Sequence, residues 1–128
     1  MYGIYEYVAY RGYGVVDAYS QYIQGRGTNP NLGFTLAQYH AEIDMGRPVI
    51  IQVEGHSMCG VGYEPQTTTI YVQDTWSTGP HPMTWGGSYS GMTHYGVAVL
   101  ELTGGVPEPA TMLLLAIGAV AVLRRRRK

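Results

Sequence analysis

The sequence predicts an α+β domain in which helices come first and an antiparallel sheet follows, with a separate apolar helix at the C-terminus. Three observations lead there. Two stretches in the first 46 residues carry apolar side chains at helical spacing. Four later stretches alternate apolar and polar residues and are rich in Val, Ile and Tyr. The last 23 residues change character, from prolines to an uncharged run to a basic cluster.

The elements follow in order. Tyr2, Tyr5, Tyr7, Tyr10 and Tyr13 open the chain as packing aromatics. Val16, Tyr19 and Ile23 then recur at i, i+3 and i+7, with Gly25 where a terminating glycine belongs, which predicts a first helix. Residues 26–33 read as a polar turn. Thr35-Leu36-Ala37-Gln38 is a capping-box pattern, and Leu36, Tyr39 and Ile43 form one stripe of a second helix that ends at Gly46. Residues 48–54 alternate Val49, Ile51 and Val53 against Ile50, Gln52 and Glu54, a half-buried strand. Further strands are predicted over residues 56–63, 69–74 and 96–102. Residues 64–68 form a hairpin loop and 75–92 a long loop with Gly, Ser and Trp.

Charge is divided along the chain. Residues 1–109 hold Arg11, Arg26 and Arg47 against nine acids, a net of −6, while Arg124, Arg125, Arg126, Arg127 and Lys128 add five positive charges at the tip. No two basic residues group together before the tip, which argues against nucleic acid as a partner. The single cysteine, Cys59, excludes an intramolecular disulfide. No Gly-rich loop has the Lys or the strand context of a phosphate cradle, and no cofactor is called for. His56, Cys59, His81 and His94 lack the compact paired spacing of a zinc site, so no metal is assigned.

The hairpin permits a geometric reading. If Tyr63 pairs with Thr67, His56 lies opposite Asp74 on one face, with Cβ atoms about 4.5–5.5 Å apart. If Glu64 pairs with Thr67, His56 lies opposite Thr75. The first register lets a carboxylate hold an imidazole by one ring nitrogen and leave the other free. His56 and Cys59 are three apart on a strand and point to opposite faces, so Cys59 reads as a small buried hydrophobe. His40 sits beside the second helix's stripe. Trp76 and Trp85 read as covers for the sheet edge and anchors of the long loop. A stacking platform for extracellular polysaccharide is their alternative role.

Ile43-Asp44-Met45-Gly46-Arg47-Pro48-Val49-Ile50, Gly55-His56-Ser57-Met58-Cys59-Gly60-Val61-Gly62-Tyr63 and Ile70-Tyr71-Val72-Gln73-Asp74-Thr75-Trp76 together resemble the second half of papain-like cysteine peptidases, in particular the bacteriocin-processing-peptidase-like domains. The resemblance runs over roughly residues 34–102 and implies a papain-like half-domain. It makes His56 the general base and Asp74 its orienting partner. The nucleophilic Cys of that family precedes the His by many tens of residues, and no Cys precedes His56 here. The resemblance therefore implies a peptidase-like domain without a nucleophile in this chain. An active peptidase fragment and a noncatalytic surface or matrix-binding module are the alternatives.

In the tail, Val106-Pro107-Glu108-Pro109 is an extended stop. Residues 110–123 form an uncharged run that as a helix spans about 21 Å at roughly 1.5 Å per residue, short of the ~30 Å of a bilayer core. Residues 124–128 are all basic and stay cytoplasmic by the positive-inside rule, leaving the body outside. Val106, Pro107, Glu108 and Pro109, the apolar run, and Arg124, Arg125, Arg126 and Arg127 resemble the PEP-CTERM sorting domain. The resemblance implies a Gram-negative envelope protein, inserted in the inner membrane and recognised by an exosortase. The expected division is a peptidase-like domain over 1–102, a linker with the Pro-Glu-Pro motif over 103–109, a transmembrane-like helix over 110–123 and a basic tail over 124–128. Export needs a leader, and residues 1–30 offer no basic region followed by an apolar one. The expectation is that Met1 is not the true start and that the front of the domain lies upstream.

Overall fold

The computed structural model describes residues 2–103. The predicted C-terminal helix, its linker and the basic tail lie outside the described residues. Two short helices and seven strands alternate as α1 (Tyr2–Tyr10), β1 (Gly14–Tyr22), α2 (Leu36–Asp44), β2 (Val49–Val53), β3 (His56–Tyr63), β4 (Thr69–Gln73), β5 (His81–Thr84), β6 (Ser88–Tyr89) and β7 (Met92–Thr103). The sheet runs β1-β7-β2-β3-β4-β5, and β6 pairs with β7 beside this path. Every ladder is antiparallel. The class is α+β and mostly sheet.

Helix α2 forms where its cap predicts. Gln38 N–H donates to Thr35 Oγ1 at 3.2 Å, and Thr35 N–H donates to Gln38 Oε1 at 2.9 Å. Two backbone donors at the helix start are thereby satisfied. Gly46, at φ +73°, turns the chain out after the helix. Arg47 then ties this end down, donating to Glu42 Oε2 at 2.6 Å and to Glu101 Oε1 on β7 at 3.0 Å. Only one face of the sheet is dry. Val49, Ile51 and Val53 of β2, Met58 of β3, Ile70 and Val72 of β4 and Val97 and Val99 of β7 are buried there under Tyr39, with Phe34 and Ile23.

Three expectations are corrected. The helix expected around Val16, Tyr19 and Ile23 is strand β1, paired with β7 from Gly14↔Thr103 to Tyr22↔Gly96. A bulge between Val15 and Asp17 resets the period-two alternation, so the apolar residues fall at a spacing that mimics a helix. The helix that does precede it, α1, buries none of its residues. The long loop of 75–92 contains β5 and β6. These strands are too short to show alternation, and their pairing is supplied by β4 and β7. Pro82, which lacks a ladder donor, sits on β5 at the sheet edge, opposite Tyr71.

Neither hairpin register drawn from the sequence is adopted. Tyr63 pairs with Ile70, and a bulge between Gly60 and Gly62 shifts the ladder to Gly60↔Val72 and Cys59↔Gln73. The bulge has a cause in the core. Tyr39 lies on Gly60, where a Cβ would come within 2.7 Å of its hydroxyl, and that hydroxyl donates to the Gly62 carbonyl at 2.9 Å.

Candidate active site

The site lies at the start of β3. Glu54 and Gly55 make a two-residue hairpin between β2 and β3, with Val53 opposite His56. Gly55 takes φ +80°, a conformation that favours glycine at this turn position. The turn places His56 at the mouth of the sheet, half-buried. Its Nε2–H donates to the main-chain oxygen of Asp74 at 2.9 Å. A carbonyl only accepts, so this bond selects the tautomer protonated at Nε2 and leaves Nδ1 with a free lone pair. Among the described residues Nδ1 has no hydrogen-bond partner. Trp76 stacks on the other side of the imidazole, with ring centroids 4.4 Å apart and planes at 14°.

The Asp74 carboxylate turns away from His56 and organises the loop. Oδ1 accepts from Trp76 N–H at 2.9 Å and Ser77 N–H at 3.2 Å, and Oδ2 accepts from the Tyr89 hydroxyl at 2.6 Å. Asp74 is 3% exposed. The Tyr89 bond, aided by the Ser77 and Trp76 amides and by His81, holds its carboxyl below the usual 3.8 against the opposing effect of burial. The same bond pushes the Tyr89 hydroxyl up to about 12. Thr75 is forced to φ +69°, an outlier for a β-branched residue that costs on the order of 1–3 kcal/mol. Its strain is the cost of turning the chain so that Asp74 faces inward while Trp76 folds over His56.

The structure therefore brings His56 and Asp74 together through the backbone of one and the ring of the other. Trp76 rests on His56. Trp85 packs in the core against Tyr39 and Phe34, at ring centroid distances of 5.3 and 6.3 Å. His40 is stacked on Tyr63 at 3.7 Å. His81 accepts from or donates to Ser77 Oγ at 2.8 Å and comes to 4.0 Å from Asp74 Oδ1. His94 is buried near the start of β7, opposite Val53 of β2, whose other neighbour is His56. Among the described residues no group of three His, Cys, Asp or Glu side chains is placed to hold a metal ion.

Cys59 pairs with Ile50, and His56 with Val53, so the two side chains leave opposite faces of the sheet. Cys59 is half-buried, less covered than the sequence suggested, because no element among the described residues lies over its face. Burial still pushes its thiol up, away from the thiolate form that reacts.

Sequence reasoning missed Tyr89, Ser77 and His81 as parts of the site. Asp74-Thr75-Trp76-Ser77 is the pattern of an Asx turn and would have pointed to the Trp76 and Ser77 amides. Tyr89 and His81 are brought in by β5 and β6, which left no readable signal.

Two family models match the chain. The PEP-CTERM protein-sorting motif matches residues 105–128 and marks an exported protein, targeted to the cell envelope and processed by an exosortase. Among the described residues no helix is long and apolar enough to cross a membrane. No curated protein and no solved structure matches. The model of the Peptidase_C39 like family matches residues 1–95, which include His56, Asp74, Trp76, Ser77, His81 and Tyr89, and the chain belongs to that family.

Proposed function

We propose that this is an exosortase-processed envelope protein whose body is a papain-like half-domain, carrying the base side of a cysteine-peptidase site but no nucleophile of its own. His56 is the base and Asp74 its positioning partner. The observation that carries this reading is the 2.9 Å hydrogen bond between His56 Nε2 and the main-chain oxygen of Asp74, which commits Nε2 and leaves Nδ1 open to accept a proton. Cys59 does not supply the thiol, since it leaves the opposite face of the sheet from His56. The full chain is accordingly expected to resist an active-site epoxide directed at thiols, read by intact-protein mass spectrometry. Stoichiometric labelling of Cys59 that disappears in His56→Ala would overturn this.

A second reading is favoured by one observation. Helix α1 presents Tyr2, Tyr5, Tyr7 and Tyr10 to solvent, and no residue of the helix is buried. That surface suits the packing of a further segment that brings a thiol to Nδ1 of His56, giving an active cysteine peptidase. A noncatalytic surface or matrix-binding module is the third use of the same body.

Sorting is tested separately. The basic residues Arg124, Arg125, Arg126 and Arg127 hold the tail in the inner membrane with the body outside. Replacing all four with Gln is expected to abolish processing near Pro107, Glu108 and Pro109 in native cells while leaving the thermal unfolding of the body unchanged. Undiminished processing, read from the C-terminal mass, would remove the sorting reading.

A further inference from the structure

The face of the sheet opposite His56 holds a cavity of about 350 Å³, lined by Ser20, Gln21, Tyr22, Gln52, Tyr95 and Gly96. Its construction follows from register. Tyr22 of β1, Gly96 of β7 and Gln52 of β2 stand opposite one another across three adjacent strands. The missing side chain of Gly96 makes the floor. A Cβ there would meet the Gln21 carbonyl at 3.0 Å and Gln52 Oε1 at 3.4 Å, so the floor is closely framed by acceptors.

Tyr95 falls in the ladder irregularity where β2 and β7 step from Gln52↔Gly96 to Val53↔His94, and such irregularities re-aim a side chain. Its ring lies 6.2 Å from that of Tyr22, inclined at 58°, and the two form an aromatic wall. Both rings are exposed, Tyr22 at 57%. Among the described residues the side chains of Ser20 and Gln52 make no hydrogen bond, and Gln21, which pairs with the buried Val97, lends the groove its main-chain carbonyl. A second cavity of about 170 Å³ shares Gln21 and Tyr22 and continues past Arg26, Thr28 and Asn29. Tyr22 is thus a ridge between two adjoining hollows.

We propose that this groove binds an oligosaccharide chain, with an uncharged sugar ring in the Tyr22–Gly96–Gln52 cavity. The chemistry of the lining selects the ligand. An inclined pair of tyrosine rings offers flat apolar surface to the C–H face of a sugar. Free amide and hydroxyl groups suit ring hydroxyls, which donate and accept at once. The first cavity contains no charged side chain, so it offers no compensation for a carboxylate or phosphate taken out of water. Two hollows joined by a shared aromatic ridge suit a repeating chain more than a single small molecule. The groove is on the other face of the sheet from His56, so the proposal stands whether or not the domain meets a thiol.

The test is calorimetric titration of the full chain with cellohexaose, maltohexaose and laminarihexaose, with hexagalacturonate and an uncharged Gly-Ser hexapeptide as competitors in chemistry. Saturable binding of at least one neutral hexasaccharide is expected. Tyr22→Ala and Gln52→Ala should each weaken it by about 10-fold or more. The Tyr22 side chain is largely solvated, so Tyr22→Ala should unfold at the wild-type temperature and report binding alone. The proposal is overturned if none of the three neutral sugars binds. It is equally overturned if hexagalacturonate or the peptide binds more tightly, or if a folded Tyr22→Ala binds as the wild type does.

Discussion

Tyr39→Ala is expected to destabilise the domain by about 3–5 kcal/mol, the range for deleting a fully buried aromatic side chain. Tyr39 has no exposed surface, is in the core cluster and packs on Trp85. It also fastens α2 to the sheet, because its hydroxyl donates to the carbonyl at the β3 bulge. Burial pushes that hydroxyl up to about 12, so it remains a donor across the usable pH range. Tyr39→Phe isolates the hydrogen bond and should cost about 1 kcal/mol. Gly60→Ala attacks the same contact from the other side, by placing a methyl group 2.7 Å from the hydroxyl. Urea unfolding of the three variants orders them. A loss below about 1.5 kcal/mol for Tyr39→Ala would mean that the sheet and α2 hold together by other means. A domain of this size has a total stability of about 5–15 kcal/mol, so the alanine variant stands near the limit of folding.

The second large effect is pH dependence carried by His94. This imidazole is fully buried, with Trp85 edge-on at 4.9 Å. Nδ1 accepts from Gly86 N–H at 3.1 Å, and Nε2–H donates to the Gly96 carbonyl at 3.2 Å. Both nitrogens are matched to the neutral ring, and a second proton would meet the Gly86 N–H. Burial, reinforced by nearby Arg26 and partly offset by the Gly96 bond, lowers its pKa from 6.5 to about 4. Between those values the unfolded chain binds a proton that the folded chain refuses. Stability from this residue is therefore complete above about pH 6.5 and falls as the pH drops toward 4. The accumulated loss is roughly 3 kcal/mol. Asp74 acts in a separate window. Its lowered pKa gives stability that is present above the usual 3.8 and is lost as the pH falls below it. Urea denaturation at pH 7 and pH 4.5 should show the His94 slope in the wild type. His94→Gln should start less stable and show little slope over that interval. An unchanged slope in this variant would assign the effect to another group.

Much of the frame around His56 was legible because its signals are local. Thr35 and Gln38 announce the start of α2, and both capping bonds form. Gly55 announces the turn that begins β3 at His56. The alternation of residues 49–53 announces which side of β2 is dry. What was missed depends on contacts distant in sequence. The bulge at Gly60–Gly62 exists because Tyr39, more than twenty residues earlier, occupies the space above it. The turn between β3 and β4, which pairs Tyr63 with Ile70 three residues beyond Thr67, moved Asp74 from the expected pairing, and the bulge recovers only one residue of that shift; Asp74 meets His56 through its backbone. The bulge after Val15 likewise disguised a strand as a helix. The groove on the opposite face needed the alignment of β1, β7 and β2, which no stretch of sequence displays.

The outer strands have a consequence for life at a crowded surface. A bare strand invites a neighbouring molecule to extend the sheet, and repeated extension ends in fibrils. Here the outer side of β1 is interrupted by its bulge and by the charge of Asp17, and the outer side of β5 is four residues long with Pro82 in it. Neither rim offers a continuous row of free amides and carbonyls to a second molecule. Many copies delivered to one patch of envelope should stay separate and keep their sheets to themselves.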